Sequence, residues 1–264
     1  MVRYLFAVLL AVLCAPAWAQ GLLSLNTLED GRKWEAVGRL EISGTAFCTG
    51  ALIAPDTVLT AAHCLFDPAT GARVPVTEIQ FLAGWRNGRA AAYRRVRKAV
   101  SHPDYDFQGE IGPARVRNDL ALIQLQHPIR NGTIQPFATH ARPETGDEVG
   151  VVSYAHNRSE APSLQELCEV LSRQEGMLVL SCEVDFGASG SPVFTFDRDG
   201  VPSIVSVVSA KAQAGGTPVS LATDLEGPLS VLRILLGQKE NPGAGLSTMP
   251  AGERRDTGAK FIKP

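Results

Sequence analysis

Three short stretches of this chain carry side chains whose types fit one another chemically. Gly187-Ala188-Ser189-Gly190-Ser191-Pro192 holds a serine between glycines, with the apolar pair Val193-Phe194 behind it. Glycine lets a backbone turn tightly and approach a ligand closely. Such a turn can present the Ser189 hydroxyl as a nucleophile and aim the amides of Gly187 and Ser189 at one point, where a developing oxyanion would sit. Loops rich in glycine and serine are common, so the stretch gains meaning only if the chain also supplies a base. Val58-Leu59-Thr60-Ala61-Ala62-His63-Cys64 supplies one. Imidazole has an unperturbed pKa suited to proton transfer near neutrality. Small Ala61 and Ala62 leave room beside the ring, and a bond from Cys64 to Cys48 would pin its backbone. The third member must be a carboxylate that orients the imidazole and stabilises its charged form. Asn118-Asp119-Leu120-Ala121-Leu122-Ile123 places one at the mouth of an apolar strand, a costly position for a charge unless it is paired. Asp104 and Asp106 are rivals, but they follow Pro103 in turn-like sequence with no strand behind them.

The elements that must position these residues are short and β-rich: Ala51-Leu52-Ile53, Thr57-Val58-Leu59-Thr60, Ile79-Gln80-Phe81-Leu82, Leu120 to Leu125, Val149-Gly150-Val151-Val152 and Ile204 to Val208. Turn residues separate them at regular intervals, the pattern of barrels and sandwiches. Two stretches read as helical, Ser163 to Leu167 and Leu225 to Leu236, the second with Leu229, Leu232 and Leu236 spaced for one face. The remaining histidines, His102, His127, His140 and His156, lack the setting of His63 and read as structural. Arg94, Arg95, Arg97 and Lys98 form a basic cluster after the turn-like Asn87-Gly88. Strand alternation would put only some of these charges on one face, and a solvated face is the reading preferred over an anion site.

The start of the chain bears on compartment. Arg3, an apolar run from Tyr4 to Cys14 and then Ala17-Trp18-Ala19 form a secretory signal over residues 1–19, with cleavage expected before Gln20. A membrane anchor would need a longer apolar stretch, so a secreted or periplasmic protein without stable membrane insertion is expected. Of five cysteines, Cys14 leaves with the signal, and Cys48, Cys64, Cys168 and Cys182 remain, with three possible pairings. The near-neighbour pairing would close two short loops, each contributing roughly 3 kcal/mol. Zinc-type clustering is absent, so neither metal nor other cofactor is expected. The 264 residues are 45% hydrophobic with a formal net charge of -2, enough for one globular unit or two small cores and with no sign of a nucleic-acid partner. Glycine, proline and charges dominate from Glu240 to Lys263, so residues 239–264 read as a flexible tail.

Taken together, Ala61-Ala62-His63-Cys64, His102-Pro103-x-Tyr105, Asn118-Asp119-Leu120-Ala121-Leu122 and Gly187-Ala188-Ser189-Gly190-Ser191-Pro192 resemble the trypsin-like (chymotrypsin-fold) serine proteases, of the bacterial secreted type. The chain order His, Asp, Ser is that of chymotrypsin and not of subtilisins or α/β-hydrolases. The resemblance runs from about Trp34 to Gln238. It implies an all-β fold of two antiparallel six-stranded barrels, about 34–135 and 136–224, with a short C-terminal helix over about 225–236. It also implies that Cys48 and Cys64 form the family's disulfide around the histidine. The activity implied is a monomeric endopeptidase acting on protein or peptide through Ser189, His63 and Asp119, with the Gly187 and Ser189 amides as the oxyanion hole. Two rivals are weighed against it: a catalytically silent homologue that only binds proteins, and an esterase on another fold.

Two departures from the animal enzymes matter. Specificity in the family sits some six residues before the serine, where Glu183 falls with Asp185 nearby, and on the strand after it. That strand aligns either through Ser206-Val207-Val208, placing Ser206 and Val208 at the substrate, or through Ser209-Ala210-Lys211. Either acid could favour a Lys or Arg side chain, or both could be solvated loop charges. The second departure is Ala188: trypsin has an aspartate before its serine that pairs with a freshly cut N-terminus. The chain also lacks an Ile/Val-Val-Gly-Gly start, reading Gly21-Leu22-Leu23-Ser24-Leu25 instead. Activation by that ion pair is therefore not expected. Protein made to begin at Gln20 is predicted to match any N-terminally trimmed form in a peptidase assay; a requirement for trimming would refute this.

Overall fold

The computed structural model describes residues 21–110, 112–140 and 143–237; the expected signal and the expected tail lie outside them. The first strand, β1 (Leu23–Ser24), stands apart from the barrel that follows it. β2 (Val37–Ile42), β3 (Ala46–Ala54), β4 (Thr57–Thr60), β5 (Ile79–Ala83), β6 (Ala92–Ser101) and β7 (Ala121–Leu125) close into an antiparallel barrel in the order β2-β3-β4-β7-β6-β5. Closure leaves no unpaired sheet edge. Leu40 on β2 shows how it is made, facing Cys48 on one side and Phe81 on the other. Of the apolar positions read from sequence, Leu52, Val58, Phe81, Leu122 and Ile123 are fully buried, as is Leu40.

A two-residue strand, β8 (Ala138–Thr139), leads into the second barrel. β9 (Glu148–Ala155), β10 (Arg158–Gln174), β11 (Met177–Leu180), β12 (Pro192–Phe196), β13 (Pro202–Ala214) and β14 (Thr217–Asp224) run β9-β10-β11-β14-β13-β12, and β12 returns to β9. β1 adds to β10 and β8 adds in parallel to β13. Both barrels are therefore six-stranded rings, as the resemblance implied. The near-neighbour cysteine pairing is also realised, Cys48–Cys64 and Cys168–Cys182. Cys168 and Cys182 sit in a core of Val149, Val170, Leu180, Val193 and Val205 inside the second barrel. A larger core continues across the junction of the two barrels. At that junction Trp34 and Phe137 meet Phe194 edge-on, with ring centroids 5.0 and 4.8 Å away.

One helical expectation fails. Ser163 to Leu167 lie within β10, where Ser163, Leu164 and Gln165 pair with Ser153, Val152 and Val151 of β9. Five residues are too few for local propensity to compete with a ladder and a buried face. Leu167 is 55% exposed with φ 65°, at a break in register between Gln165 and Cys168. The C-terminal helix is present but shorter than read, Pro228–Gly237. Proline is at home in a first helical turn, where its missing N–H is not needed. Leu229 and Leu232 are buried on the predicted face, and Leu236 packs against the same core. The basic cluster lies on β6 with Arg95 and Arg97 exposed, while Lys98 turns to the helix C-terminus and donates to the carbonyls of Leu235 and Leu236. A cation there meets the negative end of the helix dipole.

The aromatic junction predicts a stability effect. Phe194→Ala removes a fully buried ring between two others and is expected to cost about 3–5 kcal/mol, measurable by urea denaturation. A loss below about 1 kcal/mol would show that the junction is not tightly packed.

Candidate active site

β4 runs into a single 3₁₀ turn, Ala62–Leu65, which lifts His63 off the first barrel while the neighbouring Cys64 is tied to β3 through Cys48. Asp119 follows the short helix Pro113–Arg117 and precedes β7. Its carboxylate is buried and fully engaged: Oδ1 accepts the His63 backbone N–H at 2.8 Å, and Oδ2 lies 2.7 Å from His63 Nδ1. Ser209 Oγ, from β13 of the other barrel, donates to the same Oδ2 at 2.5 Å. A carboxylate can only accept, so the Nδ1 proton points at Asp119 and the ring's lone pair is left on Nε2. Of the rival acids, Asp106 accepts the Gln108 amide on its carboxylate, and Asp104 donates its backbone amide to His102 Nδ1.

The surroundings set the charge preference of His63. Burial acts to lower its pKa, but the Asp119 charge and hydrogen bond together outweigh burial and the opposing Arg115, so the net direction is upward from 6.5. The His63 side chain is 25% exposed, which keeps one face open to a cleft.

Ser189 lies between β11 and β12 on a turn that only glycines can make. Gly187 and Gly190 have φ of 96° and 79°, in the left-handed region that side chains avoid. A Cβ on Gly190 would come within 2.2 Å of Thr60 Oγ1 and 2.3 Å of the Thr49 carbonyl. The Thr49 amide donates to the Ser189 carbonyl at 2.8 Å, and the Gly190 amide to that of Val208, so both barrels grip the loop. His63, Gly187 and Ser189 line one cleft of about 680 Å³, with Phe47, Phe107 and Phe186 among its walls.

None of the predicted specificity residues Glu183, Ser206 and Val208 lines this cleft. Ser206 is fully buried and donates to the Thr223 carbonyl, and the Val208 side chain packs in the core of the second barrel. A register shift between Val208 and Ala210 is the physical reason: β13 bulges there, so that Ser209, not Ser206, turns toward Asp119. Glu183 and Asp185 line a neighbouring cavity with Lys211, which pairs with Asp185 at 3.1 Å. Sequence reading missed three members of the site. His156 and Phe186 stand in the cleft wall, and Thr49, fully buried, bonds the loop directly. His156 was passed over because nothing local distinguishes it. Thr49 had one signal, a polar residue between Cys48 and Gly50 in an otherwise apolar strand. The cluster of Cys48, His63 and Cys64 has the proximity of a metal site, but both sulfurs are committed to the disulfide.

Two barrels with these residues in the groove between them have the architecture of the chymotrypsin-fold serine proteases. A Trypsin family model matches residues 29–226, and the chain belongs to that family. Among characterised proteins, human Serine protease 56 is 33% identical over 42% of this chain, and mouse Cathepsin G is 36% identical over 36% of it. These alignments span 17% and 32% of the relatives' own lengths. A solved structure titled as a Glu endopeptidase in complex with MPD shares the fold, with TM-score 0.65 and 17% identity over 82% of this chain and 96% of that one.

The electrostatics predict a titration. In a proton NMR titration, His63 is expected to titrate above its ordinary 6.5, and Asp119→Asn to move it down, because burial then acts without the opposing charge. An unchanged value in Asp119→Asn would contradict the pairing.

Proposed function

We propose that this chain is a secreted serine endopeptidase that hydrolyses peptide bonds through an acyl-enzyme on Ser189. The observation that carries this reading is the Asp119 carboxylate, which holds both the backbone and the ring of His63 and so leaves Nε2 for the cleft that Ser189 also lines. His63 Nε2 takes the Ser189 hydroxyl proton as Oγ bonds to the substrate carbonyl carbon. The carbonyl becomes an oxyanion, stabilised by the amides of Gly187 and Ser189. The imidazolium, itself stabilised by Asp119, then protonates the departing amine as the C–N bond breaks. Water, activated by the same imidazole, repeats the sequence on the ester and frees Ser189.

Specificity follows from charges beside the loop. Glu183 and Asp185 would favour a basic side chain before the cleaved bond, but Lys211 already pairs with Asp185, and Arg158 feels the charge of both acids. A near-balanced pocket selects less strongly than a lone acid would. The Asp185–Lys211 pair is about half exposed, so it contributes little by itself and a substrate can displace it. Export is supported by the two disulfides, which persist in oxidising compartments. No helix among the described residues is long and apolar enough to cross a membrane. Ala188 is fully buried and offers no acid to a new N-terminus, while Leu23 and Ser24 pair with β10, in keeping with a protease that needs no activating cut.

Labelling with a fluorophosphonate probe tests the mechanism. Wild-type protein is expected to be modified at Ser189, and His63→Ala and Ser189→Ala to lose labelling and peptide hydrolysis by at least about a thousandfold while keeping the fold. The reaction requires neutral His63, so kcat/KM is expected to fall as pH drops through the raised pKa of that residue. Hydrolysis by Ser189→Ala at the wild-type rate would overturn the proposal.

A further inference from the structure

The nucleophile loop is held through three successive peptide planes, and the middle one is held at its Ala188 N–H by the Asp185 carbonyl at 2.9 Å and at its carbonyl by a side chain from the other barrel. The Phe186 carbonyl accepts the His156 amide at 2.7 Å, and the Ala188 carbonyl accepts the Ser191 amide at 3.0 Å. Between them the Gly187 carbonyl accepts Thr49 Oγ1 at 2.9 Å. In a trans peptide the N–H points opposite to the C=O. The first of these bonds therefore orients the Gly187 N–H and the last orients the Ser189 N–H, the two amides assigned to the oxyanion. The plane joining them spans Gly187, whose φ of 96° lies where glycine has most freedom and where no side chain of its own restricts it.

Thr49 is built for this contact. Its Oγ1 also accepts the Tyr154 amide at 3.1 Å, and a hydroxyl has one proton, so that proton is left to aim at the Gly187 carbonyl. Its backbone amide bonds the Ser189 carbonyl, and its own carbonyl accepts Thr60 Oγ1 at 2.8 Å. Every polar group of a fully buried residue is thus spoken for, and two barrels meet in it. At Ala188, where trypsin carries an acid that an N-terminus fixes, this chain has no charge to anchor the loop.

We infer that Thr49 is a positioning residue that preorganises the oxyanion hole from the first barrel, in place of an activating ion pair. This rests on the proposed peptidase reading. The Thr49 hydroxyl touches no substrate atom; it fixes the peptide plane between the two donating amides, so its effect falls on the transition state and not on ground-state binding.

The test is a set of variants assayed on one peptide substrate. Thr49→Val keeps the shape and removes the hydroxyl; kcat is expected to fall roughly tenfold to a hundredfold with KM changed less than about threefold. Affinity for a peptide aldehyde, which forms the tetrahedral adduct, should fall in parallel, while affinity for the cleaved product peptide should not. Thr49→Ser is expected to restore kcat to within about threefold of wild type. Should Thr49→Val not fold, Thr49→Ser and Thr49→Ala differ by the hydroxyl alone, and kcat is expected to separate them. Equal kcat in that pair, or wild-type kcat in Thr49→Val, overturns the inference and leaves the peptidase reading standing. A wild-type chain inert to fluorophosphonate overturns both.

Discussion

A buried carboxylate must be satisfied on both oxygens, and Asp119 meets that requirement through His63 alone, with a third bond added where the two barrels come together. Its partners are the backbone and ring of His63 from the first barrel and the Ser209 hydroxyl from the second. An unpaired charge at this depth would cost several kcal/mol. The bonds to His63 fix the imidazole's rotamer and tautomer, and the bond from Ser209 ties β13 to the same carboxylate. Stability and chemistry are joined in one group.

The serine loop obeys a different constraint. Gly187 and Gly190 let the chain turn where other residues would clash, but glycine brings freedom that a preorganised site has to remove. That freedom is removed from outside the loop, by the His156 amide, the Thr49 amide and hydroxyl, and the Val208 carbonyl. The loop's geometry is thus set by the barrel junction together with two bonds of its own, from the Ala188 amide to the Asp185 carbonyl and from the Ser191 amide to the Ala188 carbonyl.

Charge around the neighbouring cavity is arranged differently. Glu183 and Asp185 share the cavity with Lys211, and Arg158 feels the charge of both acids, so neither sign dominates. Exposed pairs of this kind are weak, so these charges can rearrange. Phe186, 74% exposed beside Lys211 at 4.7 Å from its ring, adds an apolar surface at the rim.

The sequence by itself made the candidate residues and much of the fold legible. Histidine, aspartate and serine each stand beside glycines, small residues or an apolar strand that give them away locally, and alternating apolar runs marked most of the strands. The near-neighbour cysteine pairing, one of three the sequence allowed, is the one realised. Tertiary structure alone decided the rest. Ser163 to Leu167 became strand because pairing with β9 outweighs the propensity of five residues. Ser209 was chosen over Ser206 by a one-residue bulge in β13, and a shift of one position turns every side chain to the opposite face. Thr49 and His156 acquire their contacts with the loop across more than a hundred and about thirty residues of chain. Such contacts leave no periodic trace in sequence, because they depend on how two closed barrels dock and not on what either strand prefers.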